Sequence, residues 1–104
     1  MVAHHQASSV LPVVRAFSAK VHERADVQEV WLFGSWAYGS PHAESDIDVA
    51  VVLSDDDLST ESELLSSAHT LDRRLEIHGF TQADFNRGRR AILHDIKNKG
   101  IRIL

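Results

Sequence analysis

Gly34-Ser35-Trp36-Ala37-Tyr38-Gly39-Ser40-Pro41-His42-Ala43-Glu44-Ser45-Asp46-Ile47-Asp48-Val49-Ala50-Val51-Val52 is the stretch on which the fold turns. An apolar segment, Val30-Trp31-Leu32-Phe33, leads into it. Gly39, Ser40 and Pro41 mark a loop in its middle, and two aspartates open a second apolar segment. Alternate residues of a strand share a face, so Asp46 and Asp48 point the same way and Ile47 the other. Carboxylates roughly 6–7 Å apart on one strand face repel each other unless a cation lies between them. Hard oxygen ligands of this kind suit Mg²⁺, which keeps water and phosphate oxygens in the rest of its shell. Upstream, Gly34 permits close backbone approach. Ser35 stands where a short helix can begin, and helix N-termini attract anions. One end of the stretch is suited to phosphate and the other to the metal that accompanies phosphate.

Gly-Ser followed, after Trp36 to Ser45, by Asp-x-Asp, with a strand on each side, resembles the signature of the DNA polymerase β-like nucleotidyltransferases. The small size resembles their shortest branch, the minimal nucleotidyltransferases, over about Ser9 to Leu104, and the ending Ile96-x-x-x-Gly-Ile-x-Ile resembles their tail. The resemblance implies an α/β (α+β) fold, a small mixed sheet of three or four strands packed with helices. It implies Mg²⁺-dependent nucleotidyl transfer with two ions, ATP as substrate, and Asp46, Asp48 and Glu76 as catalytic and metal-binding carboxylates. Gly34, Ser35 and Ser45 are the corresponding nucleotide-contacting positions. Minimal nucleotidyltransferases are typically paired with a HEPN toxin, so the resemblance also implies an antitoxin that transfers AMP to a tyrosine of that partner, in a hetero-oligomer. Two positions depart from the family pattern: Tyr38, where many minimal members carry Arg, and Glu76, where the third carboxylate is commonly Asp. These departures keep a second reading open, an antitoxin of weak or no activity that neutralises its partner by contact. A small-molecule nucleotidyltransferase of the aminoglycoside type would need a second, substrate-binding domain.

Around this stretch the chain reads as one domain. It has 104 residues, 43% hydrophobic and 25% charged, as expected of a single globular unit. The boundaries expected are a loose N-terminus over 1–8 and the domain over 9–104. A net charge of −4 argues against a general nucleic-acid binder, which needs a basic face for phosphates. The absence of cysteine excludes disulfides and thiolate chemistry and is consistent with a cytoplasmic location. No apolar run approaches the roughly 18 residues of a membrane span, and no signal peptide is visible.

Periodicity fills in the elements. Leu11, Val14, Phe17 and Val21 fall at helical spacing over about Val10 to Arg24, with Ser9 as cap and Pro12 in the first turn. Gln28 to Phe33 is apolar on both faces, as an interior strand is. In Asp46 to Leu53, Ile47, Val49 and Val51 share one face, while Asp46, Asp48, Ala50 and Val52 share the other. Ser54-Asp55-Asp56-Asp57 reads as a solvated acidic turn. A helix to Arg73 follows from Ser59 or Thr60, with Thr60 and Glu63 at capping-box spacing and Leu64, Leu65, Ala68 and Leu71 expected on its inner stripe. Arg74 to Phe80 is a third strand with Glu76 and His78 on one face. If it pairs with the second strand, Glu76 comes beside Asp46 and Asp48. His78 reads first as an ordinary strand residue, and Arg87, Arg89 and Arg90 as a solvated basic face. Thr81 opens the last helical region, Gly88 divides it, and Gly100 ends it before a short edge strand over 101–104.

Overall fold

A computed structural model of the chain describes residues 6–24, 26–54, 58–88 and 90–104, with Leu58 and Ser59 described by their backbone alone. The elements in order are α1 (Leu11–Val21), β1 (Val27–Phe33), α2 (Ser35–Tyr38), β2 (Ile47–Leu53), α3 (Leu58–His69), β3 (Leu75–Thr81), α4 (Gln82–Arg87), α5 (Ala91–Lys99) and β4 (Ile101–Arg102). The four strands form one mixed sheet in the order β3-β2-β1-β4. β1 runs antiparallel to β2 and β4, and β2 runs parallel to β3. This is the small mixed sheet packed with helices that the sequence implies.

Strand alternation sorts the core into two layers. Val30, Leu32, Ile47, Val49, Val51, Leu53 and Leu75 face the helices α1 and α3, meeting Val14, Phe17, Leu64 and Ala68. The opposite face carries Phe33, Ala50, Val52 and Phe80 under Phe85 of α4 and Leu93 and Ile96 of α5. Burial of both faces explains why β1 and β2 are apolar nearly throughout. Asp48 lies on the second face of β2, ahead of the fully buried Ala50 and Val52. The sheet thus runs from a polar rim at the start of β2 into a dry interior.

The termini of the helices differ from expectation in places. Ser9 does not cap α1: its hydroxyl donates to the Gln6 carbonyl at 2.9 Å, and Val10 is the cap residue. Ala7 is fully buried in the first layer, so the described part of the N-terminus, from Gln6 on, packs against the core; Met1 to His5 lie outside the described residues. Thr60 lies inside α3 rather than at its start, and Glu63 accepts from Arg24 Nη1 at 2.6 Å instead of closing a capping box. Leu64 and Ala68 form the inner stripe as expected, but Leu65 and Leu71 are each 39% exposed. α3 ends at His69, which leaves Leu71 in the following turn, while Leu65 lies within the helix on its exposed side. Asp55 to Asp57 of the expected acidic turn and Arg89 of the basic cluster lie outside the described residues.

The last third follows its local signals. Thr81 Oγ1 accepts from the Asp84 backbone N–H at 3.1 Å, capping α4. Gly88 ends α4 in the left-handed conformation, φ 61°, and Gly100 ends α5. Beyond β4, the backbone N–H groups of Ile103 and Leu104 both donate to the Val30 carbonyl, so the chain end completes the edge of β1. Among the described residues no helix is long and apolar enough to cross a membrane.

Candidate active site

Three strands bring their ends together at one rim of the sheet. Phe33, the last residue of β1, is the ladder partner of Asp48, and Asp48 is in turn the partner of Glu76 on β3. Directly paired residues on adjacent strands share a face. Asp48 and Glu76 therefore project to the same side, and His78, two residues further on β3, projects with them. Ligand atoms of Asp48, Glu76 and His78 all lie within 4.8 Å of one another.

His78 was not singled out as a site residue by sequence reasoning, and it stands at the centre of this group. Its Nε2 is 3.3 Å from Asp48 Oδ1 and 3.9 Å from Glu76 Oε1. The ring of Phe33 meets the imidazole edge-on, with centroids 5.1 Å apart. The signal was available: Glu76 and His78 are alternate residues of one strand, so whatever places Glu76 on the acidic side places His78 there too. The hydrogen bond to Asp48 holds the imidazole's pKa above its ordinary value against the opposing effect of burial, and the charges of Asp48, Glu76 and Glu61 add to the rise.

Glu76 is half exposed but its carboxyl is also held above the usual range. Partial burial is the leading cause. A hydrogen bond with Asp46 and the charges of Asp48 and Asp46 push the same way, while His78 pulls it down. The neighbouring acids thus add to an effect that burial begins. Asp46 lies one residue ahead of β2 and is exposed. It reaches Glu76 but stands outside the tight group formed by Asp48, Glu76 and His78.

The glycine-serine corner abuts the same acids. Gly34 adopts φ 76° and ψ −156°, a region open in practice only to glycine. A side chain built there would run into Asp48 Oδ2. The missing Cβ is thus what lets the backbone of the corner and the Asp48 carboxylate occupy adjacent space. Ser35 begins α2, and the Gly34 carbonyl accepts from the N–H groups of Ala37 and Tyr38, both at 3.0 Å. Ser45 holds the loop ahead of Asp46: its hydroxyl accepts from the His42 N–H at 2.9 Å, and its carbonyl accepts from Trp36 Nε1 at 3.1 Å. Arg74 fastens this loop to β3. It is held by Asp72 at 2.8 Å, donates to the Ala43 carbonyl at 2.9 Å, and lies 5.7 Å from the centre of the Trp36 ring. Asp46 is presented at the end of a loop braced from both sides.

The donor set fits a hard divalent cation. Two carboxylates come from paired strand positions, and a third, Asp46, from the end of the loop that leads into β2, at an exposed rim. The geometry is the observation on which the fit rests: ligand atoms of Asp48, Glu76 and His78 lie within 4.8 Å of one another, close enough to share one cation.

Comparison with known proteins agrees with this geometry. A family model described as Polymerase beta, Nucleotidyltransferase matches residues 18–104. No curated protein matches the chain. Among solved structures, a toxin–antitoxin protein crystallised with AMP-PNP is 25% identical, with a TM-score of 0.64 over 90% of this chain and 73% of that one. A protein of Sulfolobus solfataricus assigned as a nucleotidyltransferase is 19% identical and gives 0.63 over 84% and 80%. The complex of a tri-AMPylated HEPN toxin with its MNT antitoxin from Shewanella oneidensis is 20% identical and gives 0.51 over 98% and 71%. The two less similar structures bear on the fold alone. With a family match running from within α1 to the last residue, the chain belongs to the polymerase beta nucleotidyltransferase family.

Proposed function

We propose that this nucleotidyltransferase uses Mg²⁺ and ATP to place AMP on a tyrosine hydroxyl of a partner HEPN toxin, and so acts as its antitoxin in the cytoplasm. The observation that supports it most is the register: Asp48 and Glu76 are ladder partners, with Gly34 turned against Asp48. The AMP-PNP bound to one structural neighbour and the AMPylated toxin held by another support the nucleotide and the partner.

Asp46, Asp48 and Glu76 would hold Mg²⁺. When bound, the metal supplies positive charge to the phosphate oxygens and steadies attacking and leaving groups. The backbone of Gly34 and Ser35 positions the β- and γ-phosphates. The acceptor oxygen then lies in line with the α-phosphorus, where position and fixed charge do most of the catalysis. A bond forms from that oxygen to the α-phosphorus, and the bond to pyrophosphate breaks. The hydroxyl proton passes to the Glu76 carboxylate and from there to solvent.

A second reading, neutralisation by binding alone, is favoured by His78. Its imidazole Nε2 lies 3.3 Å from Asp48 Oδ1 and 3.9 Å from Glu76 Oε1, a partner for both acids that involves no metal. One experiment separates the two. The chain is incubated with labelled ATP, Mg²⁺ and the protein encoded by the adjacent gene. Label on that protein, lost in Asp46→Ala/Asp48→Ala, supports transfer. Neutralisation by the double variant at wild-type potency eliminates catalysis as the mechanism.

A further inference from the structure

The last turn of α5 lies against the glycine-serine corner. β4 pairs with β1 through Trp31 with Arg102 and Leu32 with Ile101. That register, continued two residues past the end of the ladder, sets Lys99 across from Gly34. The packing agrees: a Cβ at Gly100 would stand 3.1 Å from the Leu32 carbonyl oxygen. The face agrees as well. Ile96 of α5 is fully buried in the layer that holds Phe33, and Asp48, the ladder partner of Phe33, projects from that same side of the sheet. Across the rim the order is therefore Glu76, Asp48, Gly34, Lys99. The acids flank the corner on one side, and Lys99 flanks it on the other.

The surroundings of Lys99 leave its charge available. Its Nζ lies 5.8 Å from the centre of the Tyr38 ring. Tyr38 ends α2, and its N–H donates to the Gly34 carbonyl at 3.0 Å, so the ring under the ammonium is tied to the corner itself. The ion-pair partner of Lys99 is Asp95, at 3.9 Å, with the two side chains 60% and 45% exposed. An exposed pair at that distance contributes little, so the ammonium can leave it at small cost. Neighbouring strands lie about 4.8 Å apart and lysine carries its charge on a flexible four-carbon stem, so the corner is within reach. Other cations of this face are engaged elsewhere. Lys97 donates to the Asn86 carbonyl and covers Phe85, Arg102 donates to the Leu104 carbonyl over Trp31, and Arg90 covers Phe80. A triphosphate seated at the corner brings negative charge beside three carboxylates. A metal would offset that charge on the side of the acids; on the other side the offset falls to Lys99.

We propose that Lys99 is a nucleotide-binding residue, its ammonium turning from Asp95 onto the β- and γ-phosphates of ATP at the Gly34-Ser35 corner. This rests on the placement of the phosphates in the transfer reading above and adds the side chain that holds them from the α5 side. As the bond between the α- and β-phosphates breaks, negative charge gathers on the departing pyrophosphate, and an ammonium already in place stabilises it. Lys99 keeps its proton throughout, so the bond and proton balance given above is unchanged.

Calorimetric titration of AMP-PNP with Mg²⁺ into the chain tests it. Lys99→Gln should raise the Kd about tenfold or more, as expected for loss of a charged hydrogen bond. Lys99→Arg, which keeps the charge, should recover most of that affinity. Lys97→Gln removes the same charge two residues earlier and should leave the Kd within about twofold. Asp95→Asn releases the ammonium and should tighten binding about twofold, an effect that vanishes in the Lys99→Gln background and that a merely structural role would not produce. Wild-type affinity in Lys99→Gln overturns the proposal and leaves the transfer reading standing. So does a loss in Lys99→Arg as large as in Lys99→Gln, an equal loss in Lys97→Gln, or equal tightening by Asp95→Asn in both backgrounds. A wild-type chain that binds no AMP-PNP overturns both readings. AMP-PNP binding that depends on Lys99, with no label reaching the adjacent-gene protein, ends the transfer reading while Lys99 keeps its role.

Discussion

Gly34→Ala is the sharpest test of how the corner and the acids fit together. The residue sits at φ 76° and ψ −156°, and holding an L-residue in such a region costs about 1–3 kcal/mol. The added methyl would also meet Asp48, running into Oδ2 and standing 3.1 Å from Cγ and 3.2 Å from Cβ. Neither backbone yields easily, because both belong to paired strands or their ends, so the Asp48 side chain must leave its rotamer at about 0.5–1.5 kcal/mol. Together these give a loss of about 2–4 kcal/mol. For a domain near a hundred residues that lowers Tm by roughly 10–30 °C. Gly88→Ala is the control. It has a positive φ of 61°, and the nearest atom to an added Cβ is the flexible Lys97 Nζ at 3.4 Å. Its cost is the left-handed backbone alone, about 1–2 kcal/mol. Urea and thermal unfolding of both variants measure the difference, and AMP transfer by Gly34→Ala should fall by on the order of a hundredfold as Asp48 moves. Equal destabilisation by the two substitutions, or wild-type transfer by Gly34→Ala, would refute the reasoning.

Further outcomes follow from the same geometry. Asp48→Asn should abolish transfer, leave the fold intact and move the His78 titration downward, since the first cause of its rise is gone; NMR titration of the imidazole checks this. Metal-free stability should depend on pH in a defined direction. Glu76 and His78 both have raised folded pKa values, so what they contribute is fully present below their ordinary values of 4.5 and 6.5 and is lost as pH rises through the raised ones. Asp72 behaves oppositely: Arg74 holds its carboxyl below 3.8, so its contribution is present above that value and lost as pH falls through the lowered one. Urea midpoints across pH, with EDTA and with Mg²⁺, read these trends, and Mg²⁺ should recover the loss assigned to Glu76. Leu64→Ala, at a side chain 1% exposed, should cost about 2–5 kcal/mol, while Leu65→Ala next to it should stay within about 0.5 kcal/mol in denaturant unfolding.

What could be read from the residues was whatever depended on alternation. The faces of β2 follow directly from Ile47, Val49 and Val51 against Asp48, Ala50 and Val52, and the two core layers bear them out. The placement of Glu76 beside Asp48 needed only one further assumption, that β3 pairs with β2, and the ladder meets it. Thr81, Gly88 and Gly100 carried their own local chemistry and act as helix boundaries. Less legible were features set by tertiary contacts. Glu63 had capping-box spacing to Thr60, but Arg24 from a different element claims it. Leu65 and Leu71 fit a helical stripe on paper, yet Leu71 falls past the helix end at His69 and Leu65 lies on the exposed side of the helix. His78 shares the face of Glu76 on the sequence alone, yet it reads as an ordinary strand residue, because a lone histidine carries little information until its neighbours across the sheet are known.

The pairing of Asp48 with Glu76 across adjacent strands has an evolutionary consequence. Their spacing is dictated by the hydrogen-bond ladder and owes nothing to the contour length of the α3 crossover that joins them. Insertions or deletions in that crossover should therefore leave the two acids facing each other. The segment becomes a place where lineages can remodel partner choice while the chemistry beneath stays put.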